Sequence, residues 1–141
     1  IKGMGKHRTW DFDNIVLPAV LHVMRSLCRQ EFVRNMVMTR RCVMPLLLLI
    51  KNEKGNPITR EHAAHVVGSL ALQEQLHPSL FAFDDLLPSM MFLIKHGEGL
   101  CKSVGARALQ HLSSSSEPSF RYKIAEYLHV TLDATGSAPA D

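Results

Sequence analysis

An internal repeat is the feature of this sequence that most constrains its fold. Residues 44–71 read MPLLLLIKNEKGNPITREHAAHVVGSLA, and residues 87–113 read LPSMMFLIKHGEGLCKSVGARALQHLS. Both run from an apolar segment through Ile-Lys and a glycine-containing loop into a segment rich in small residues, which ends in Leu and a small residue. Repetition of this kind predicts supersecondary units that stack on one another and share a continuous core.

A third, partial copy occupies residues 13–28, DNIVLPAVLHVMRSLC. Its terminal Leu27 aligns with Leu70 and Leu112, so the copies are 43 and 42 residues apart. The composition favours helices over strands, since 46% of the 141 residues are hydrophobic but only 6% are aromatic, and aromatic residues are enriched in strands. The sequence therefore predicts an all-α fold.

Apolar periodicity and capping residues predict where the helices lie. The Asn56-Pro57 pair should interrupt the chain. We expect Thr59 and Asp84 to cap the helices that follow them, and Pro118 to open the last helix. The predicted helical segments cover about residues 13–28, 30–38, 41–51, 60–73, 76–83, 84–96, 100–113 and 118–132.

The segment at residues 96–103, HGEGLCKS, follows an apolar run and has the layout of a phosphate-binding loop. The pattern G-x-x-x-x-G-K-S requires glycines where His96 and Cys101 stand, because only glycine lets the backbone N–H groups curl around a phosphate. The equivalent loop of the other copy, NEKGNP, has no phosphate-binding chemistry. We interpret the segment as a connector between helices and expect no nucleotide or other cofactor.

The three cysteines, Cys28, Cys42 and Cys101, are odd in number and widely spaced. We interpret them as reduced packing residues of an intracellular protein, cytoplasmic or alternatively nuclear. The longest apolar run, VMPLLLLI at residues 43–50, is too short to span a bilayer, so we expect no membrane among the partners. The first residue is Ile1 and not Met, so either processing has removed a segment or the chain is a piece of a longer protein. We expect a piece, because nothing near Ile1 resembles a signal peptide.

The repeats resemble those of the armadillo family. The segments VMPLLLLIKN and LLPSMMFLIKHG are similar to the second helix of an armadillo repeat, and HAAHVVGSLA and VGARALQHLS are similar to the third. The resemblance covers about residues 13–115 and implies a right-handed α-solenoid of three-helix repeats, with the related HEAT repeat as an alternative. It implies the following organisation: a lead-in at 1–12, an armadillo-like segment at 13–132 (partial repeat 13–29, repeats 30–73 and 74–115, terminal helix 118–132) and a flexible tail at 133–141.

In armadillo proteins the third helices line a groove that holds extended peptides. Family members that bind basic peptides carry Trp and Asn at two groove positions four residues apart, and this chain carries neither at the aligned positions. Cationic or ionisable side chains and small hydroxyls stand there instead, and Arg25 and Arg29 share a helix face with His22. The groove residues that the resemblance implies are His22, Arg25, Ser26, Arg29, His65, Ser69, Arg107 and His111.

Charge is distributed unevenly along the chain. Residues 1–60 hold 11 Lys and Arg against 4 Asp and Glu, whereas residues 61–141 hold 5 against 9, within a formal net charge of +3. A basic half and a cationic groove favour an acidic partner. We therefore expect a non-enzymatic protein–protein interaction scaffold that binds an extended, acidic segment of another protein and packs against neighbouring repeats of a longer parent chain.

Other functions have weaker support in the sequence. No nucleophile–base set and no pair of carboxylates stands out, so we expect no enzymatic activity. His62 and His65 are three residues apart, but zinc requires three or four ligands, and we expect no metal. The alternative function is a helical repeat that associates with nucleic acid through the basic N-terminal half, where residues 34–42, RNMVMTRRC, offer phosphate contacts; basic residues without interleaved aromatics argue against single strands.

The groove histidines also predict a dependence on pH. His22, His65 and His111 should gain charge as the pH falls towards about 6.5, the ordinary value for histidine. We expect binding of an acidic ligand to strengthen between about pH 7.5 and 6, until the ligand's own carboxylates begin to protonate.

Overall fold

A computed structural model describes the backbone of residues 10–134 and the side chains of residues 10–130. This part of the chain forms helices joined by short connectors and contains no strand, which confirms the all-α fold class. A π-helical turn at Phe12–Val16 leads into the first α-helix, and a 3-10 turn at Glu74–Leu76 leads into the fifth. The α-helices are α1 (Leu17–Leu27), α2 (Glu31–Thr39), α3 (Val43–Lys51), α4 (Pro57–Leu72), α5 (His77–Phe81), α6 (Leu86–His96), α7 (Cys101–Ser113) and α8 (Pro118–Ala134).

The start of α4 differs from the sequence prediction. Asn56, not Thr59, caps this helix: the Asn56 side-chain oxygen accepts a hydrogen bond from the Ile58 backbone N–H at 2.8 Å, and Pro57 occupies the first helical position. Proline is well suited to that position because its missing N–H would have no intrahelical partner there. Thr59 lies inside the first turn, 4% exposed, and its hydroxyl has no hydrogen-bond partner among the described residues.

The start of α6 also differs. We predicted Asp84 as its cap, but α6 begins at Leu86 after Asp85, and the Asp85 side chain makes no capping hydrogen bond. Instead, the Asp85 carboxylate accepts a hydrogen bond from the Lys51 ammonium at 2.7 Å, which links the start of α6 to the end of α3. The side chain is therefore used between repeats, and it is not used within its own helix.

The helices pack in two parallel series. In one series α1 packs against α4 and α4 against α7; in the other, α3 packs against α6. The two helices of each complete repeat also pack on each other: α3 packs against α4, and α6 packs against α7. The Ser89 hydroxyl donates to the Leu47 carbonyl at 3.3 Å between α6 and α3. Large side chains from both series are fully buried in the core, among them Leu47, Ile50, Leu70, Leu93 and Leu112.

The glycines of the loop at residues 96–103 have local structural roles. Gly97 is buried at the end of α6, where an added Cβ would overlap the Leu93 carbonyl oxygen and lie 2.7 Å from the Cys101 Cβ. Gly99 has a φ of +56°, a left-handed conformation that glycine adopts without steric cost. Both glycines therefore serve the tight connection between α6 and α7, as the interpretation of this loop as a connector requires.

The last helix, α8, packs against α7. Ile124 is buried, and the Phe120 ring stacks on Phe81 of α5 with 4.5 Å between the ring centroids. Cys28 and Cys101 are buried and unpaired, and burial raises the pKa of both thiols. No helix within residues 10–134 is both long enough and apolar enough to cross a bilayer. Most of the tail predicted at 133–141 and most of the lead-in predicted at 1–12 lie outside the described residues, while residues 133 and 134 belong to α8.

Candidate functional site

The residues implied for the groove lie on the same three helices that pack in series. His22, Arg25 and Ser26 are on α1, and Arg29 follows two residues after its end. His65 and Ser69 are on α4. These side chains come together around one open cleft of about 370 Å³ between α1 and α4, the first cleft, which is lined by His22, Arg25, Ser26, Arg29, His65 and Ser69.

A second cleft, of about 260 Å³, continues from the first between α4 and α7. His65 and Ser69 line both clefts, and Arg107 of α7 joins them in the second. The remaining lining of the second cleft is mostly apolar and small: Gly68, Leu72, Leu100, Ser103, Val104 and Ala108. The two clefts together are called the groove below. His111, one turn beyond Arg107, lines neither cleft, so the structure does not bring it together with the other residues.

His62 is a residue of this site that the sequence analysis considered only as a metal ligand. Its Nδ1 lies 3.2 Å from the Arg25 Nη1, and its ring meets that of His22 edge-on with 5.1 Å between the centroids. Because a guanidinium only donates hydrogen bonds, Nδ1 of His62 must be the acceptor, which puts the ring proton on Nε2. His62 therefore orients Arg25 at the wall of the first cleft.

Burial and nearby charges lower the pKa of two histidines of this site. Burial, followed by the charge of Arg25 and by His22, lowers the pKa of His62 against an opposing effect of Glu61. Burial and then Arg25 also lower the pKa of His65; Glu61 opposes, while His62 and Arg107 add to the lowering. His65 therefore takes up its proton at a lower pH than an ordinary histidine, and it contributes less positive charge between pH 7.5 and 6 than an unshifted histidine would.

The hydrogen-bonding groups of the groove differ in whether they have a partner within the protein. The Nε2 atom of His65 is buried and has no partner among the described residues. The two serine hydroxyls are already satisfied: Ser26 donates to the His22 carbonyl at 3.1 Å, and Ser69 donates to the His65 carbonyl at 2.9 Å. The groove thus offers a ligand guanidinium groups more than hydroxyl donors.

No acidic side chain lines either cleft within the described part of the chain. The described residues form a salt bridge between Lys51 and Asp85, and neither of these residues lines the groove. In the same described region, no group of three or more His, Cys, Asp or Glu side chains is placed to hold a metal ion. The groove is therefore a cationic surface whose arginines have no carboxylate partner among the described residues.

The basic segment at residues 34–42 is partly used inside the protein. Arg34 donates to the Gln73 side-chain oxygen at 2.6 Å and to the carbonyls of Cys28 and Arg29, each at 3.0 Å. These bonds hold the turn between α1 and α2 against the end of α4. Only Arg40 and Arg41 of this segment's arginines are exposed to solvent.

Comparisons of the chain with family models, with curated proteins and with solved structures give no match in any of the three.

Proposed function

We propose that this chain is a non-enzymatic scaffold, a segment of an armadillo-like right-handed α-solenoid that binds an extended, acidic segment of another protein in its groove. The order of packing supports the solenoid: helices 43 and 42 residues apart in sequence lie side by side, as they would in a stack of repeats. The same proposal gives the protein an intracellular location, cytoplasmic or nuclear, on the basis of its three unpaired cysteines.

The observation that carries the proposal is the unpaired positive charge of the groove. Arg25, Arg29 and Arg107 border the two clefts, and no carboxylate lines either of them in the described residues. Cationic side chains that are not neutralised within a protein are available for a carboxylate ligand, and charge-assisted hydrogen bonds of this kind contribute about 1.5–3 kcal/mol each.

The shape of the groove favours an extended ligand over a compact one. The first cleft opens towards α1 and the second towards α7, and they meet at His65 and Ser69. A ligand that contacts both Arg25 and Arg107 must therefore cross three helices. Its apolar residues would have Leu72, Leu100 and Val104 to pack against in the second cleft. The expected ligand alternates acidic and small apolar side chains.

The proposal is tested with a fluorescein-labelled decapeptide of alternating Glu and Ala, titrated with the protein while fluorescence anisotropy is measured. Arg107→Glu should weaken binding at least tenfold, which corresponds to the loss of one charge-assisted hydrogen bond of about 1.5 kcal/mol or more. Lys102→Glu is the matched control: it lies on the same helix, is exposed, changes the net charge equally and lines neither cleft. Equal weakening by the two substitutions would contradict the groove assignment.

The pH dependence of the same titration follows from the lowered pKa values. Above about pH 6.5 the two shifted histidines are neutral, so binding depends on the arginines. Below that pH, protonation of His62 and His65 adds positive charge. Affinity for the acidic peptide should then rise until the glutamates of the peptide protonate at about pH 4.3. The groups that set this response are Arg25 and His22 on α1, Glu61, His62 and His65 on α4, and Arg107 on α7. An affinity that is flat between pH 7 and 5 would contradict the role of the histidines.

The nucleic-acid alternative is tested with a mixed-sequence oligonucleotide in the same assay. Phosphate binding weakens steeply with salt and tolerates any sequence. Arg40→Glu and Arg41→Glu would reduce oligonucleotide binding, whereas Arg107→Glu would have no specific effect on it. Oligonucleotide binding stronger than peptide binding, with that pattern of substitutions, would replace the peptide proposal with the alternative.

A further inference from the structure

A second surface, on α1, is apolar and exposed. Val20, Val23 and Leu27 are 51%, 55% and 50% exposed, and Val16, just before α1, is 46% exposed. Their spacing of four, three and four residues places them in one row along a single face of the helix. We call these four residues the α1 stripe. Leu21 lies on a different face of α1 and is buried, and α1 packs against α4.

The repeat identifies what the α1 stripe corresponds to in the other two units. Residues 43 positions further along the chain than the α1 stripe lie on α4, and residues a further 42 positions along lie on α7. Every one of these equivalents is buried. On α4 they are Thr59, Ala63, Val66 and Leu70, and on α7 they are Cys101, Gly105, Ala108 and Leu112. The same row of side chains is thus covered in two units and uncovered in one.

The covering helix can be identified in the units where it is present. An added Cβ on Gly105 would lie 2.8 Å from the Leu93 Cβ, 3.1 Å from the Met90 carbonyl oxygen and 3.3 Å from Ile94, all on α6. The α7 row therefore packs against α6. In the preceding unit α3 packs against α4 in the same order along the chain. The described residues ahead of α1 contain no counterpart of α3 and α6.

We propose that the α1 stripe is a docking surface for one further apolar helix of the α3 type. Its body would carry Leu, Ile, Val or Met without charges, as residues 43–50 do. It would extend the α3–α6 series by one member. An α3-type helix fits better than an α6-type helix, because α6 approaches the glycine at position 105 so closely that the Val at position 20 could not replace it. The residue equivalent to Val20 on α4, the helix that packs against α3, is Ala63, which already has a Cβ.

The probe for this surface is a fluorescein-labelled peptide of residues 43–54, which contains α3 and three polar residues after it. It is added to the full chain and followed by anisotropy, with a peptide of scrambled sequence as the control for non-specific apolar binding. The native peptide should bind and the scrambled peptide should bind at least tenfold more weakly, since docking depends on a row of apolar side chains on one face of a helix.

Two substitutions locate the site. Val23→Glu places a charge at the centre of the α1 stripe and should weaken binding at least tenfold, because a charge buried against an apolar helix is not solvated. Val130→Glu on α8 is the matched control, since Val130 is also an exposed valine, at 59%; it should leave binding within about twofold of the original, like most surface changes away from a contact. Circular dichroism verifies that both variants are folded. Equal binding to both variants, or no binding of the native peptide, would overturn the proposal.

Self-association is measured by light scattering on the protein alone. If the chain forms a dimer that Val23→Glu converts to a monomer, a second copy occupies the stripe and the α3-type partner is wrong. The groove variant Arg107→Glu should bind the helical peptide normally, so the outcome here is independent of whether the groove binds acidic ligands.

Discussion

The connector between α3 and α4, at residues 52–56, and the connector between α6 and α7, at residues 97–100, occupy equivalent places in the two complete repeats. The helices on either side pack in the same order in both units. The side chains that hold the two connectors together are nevertheless unrelated, so the two joints can be compared as two solutions to one geometric requirement.

In the first connector the joint is held by polar side chains. Arg60, only 6% exposed, donates to the Ile50 carbonyl at 3.0 Å and to the Asn52 carbonyl, and it thereby satisfies the C-terminal end of α3. Its guanidinium also lies 5.2 Å from the centroid of the Phe92 ring on α6. The buried charge has a favourable position because the C-terminus of a helix carries partial negative charge.

In the second connector the joint is held by the close approach of the backbone. The residue equivalent to Arg60 is Lys102, which is exposed. Gly97 stabilises this connector instead. Its backbone N–H donates to the Leu93 carbonyl at 2.9 Å at the end of α6, and its lack of a side chain lets α7 begin directly beside it. The comparison teaches that the repeat specifies how helices pack, while each connector is stabilised by chemistry of its own.

Among the substitutions that test this comparison, Arg60→Met should lower the free energy of unfolding the most. The substitution keeps a long apolar side chain but leaves two carbonyls at the end of α3 without their charged donor. We expect the free energy of unfolding to fall by about 3 kcal/mol, given about 1.5–3 kcal/mol for each hydrogen bond to a charged group. Urea denaturation monitored by circular dichroism measures it. Lys102→Met, at the equivalent position of the second unit, should stay within about 0.5 kcal/mol of the original protein; similar losses in the two variants would show that the joints do not differ.

Gly97→Ala should have the next largest effect. The added methyl group meets the Leu93 carbonyl and the Cys101 Cβ, and relief requires both the end of α6 and the start of α7 to shift, at a cost of about 2 kcal/mol. Gly55→Ala in the first connector is the matched change. Its methyl group would be 3.1 Å from the Asn52 carbonyl, a tight contact that a small shift relieves, while the lower entropy of the unfolded chain offsets the strain. We expect less than about 0.5 kcal/mol for Gly55→Ala. A larger loss at Gly55 than at Gly97 in thermal unfolding would contradict this assignment.

The helices of both units could be predicted from the sequence because their signal is local. Apolar periodicity in residues 44–50 and 87–94 and the small residues that follow determine which segments are helical, and the observed boundaries lie within a few residues of those expected. The cap of α4 was assigned incorrectly because Asn56 and Thr59 are both good capping residues. Pro57 was the signal that favours Asn56, since proline prefers the first helical position.

The composition of the groove could be predicted only in part. The repeat spacing places His22 and His65 on neighbouring helices, and both line the first cleft. The contact between Arg25 and His62 spans 37 residues and depends on how far apart α1 and α4 lie, which periodicity does not specify. The direction of the pKa shift of His65 has the same origin, because burial and the charges around it are properties of the packed helices.

Asn56→Ala should have the smallest effect and separates two roles of one side chain. Asn56 accepts from the Ile58 N–H as the cap of α4, and its amide nitrogen donates to the Asn14 side-chain oxygen at 2.9 Å. Loss of both should lower the free energy of unfolding by about 1 kcal/mol. Asn56→Asp keeps the capping acceptor and removes the donor, so it should recover at least half of that loss if the cap dominates. Leu100, which precedes α7, makes no side-chain cap, and Leu100→Ala should change stability by less than about 0.5 kcal/mol. Thermal unfolding of the three variants measures these differences. If the aspartate variant is as unstable as the alanine variant, the stabilisation comes from the contact with Asn14. The first connector would then depend on the hydrogen bond from Asn56 to Asn14 and not on the capping of α4 by Asn56.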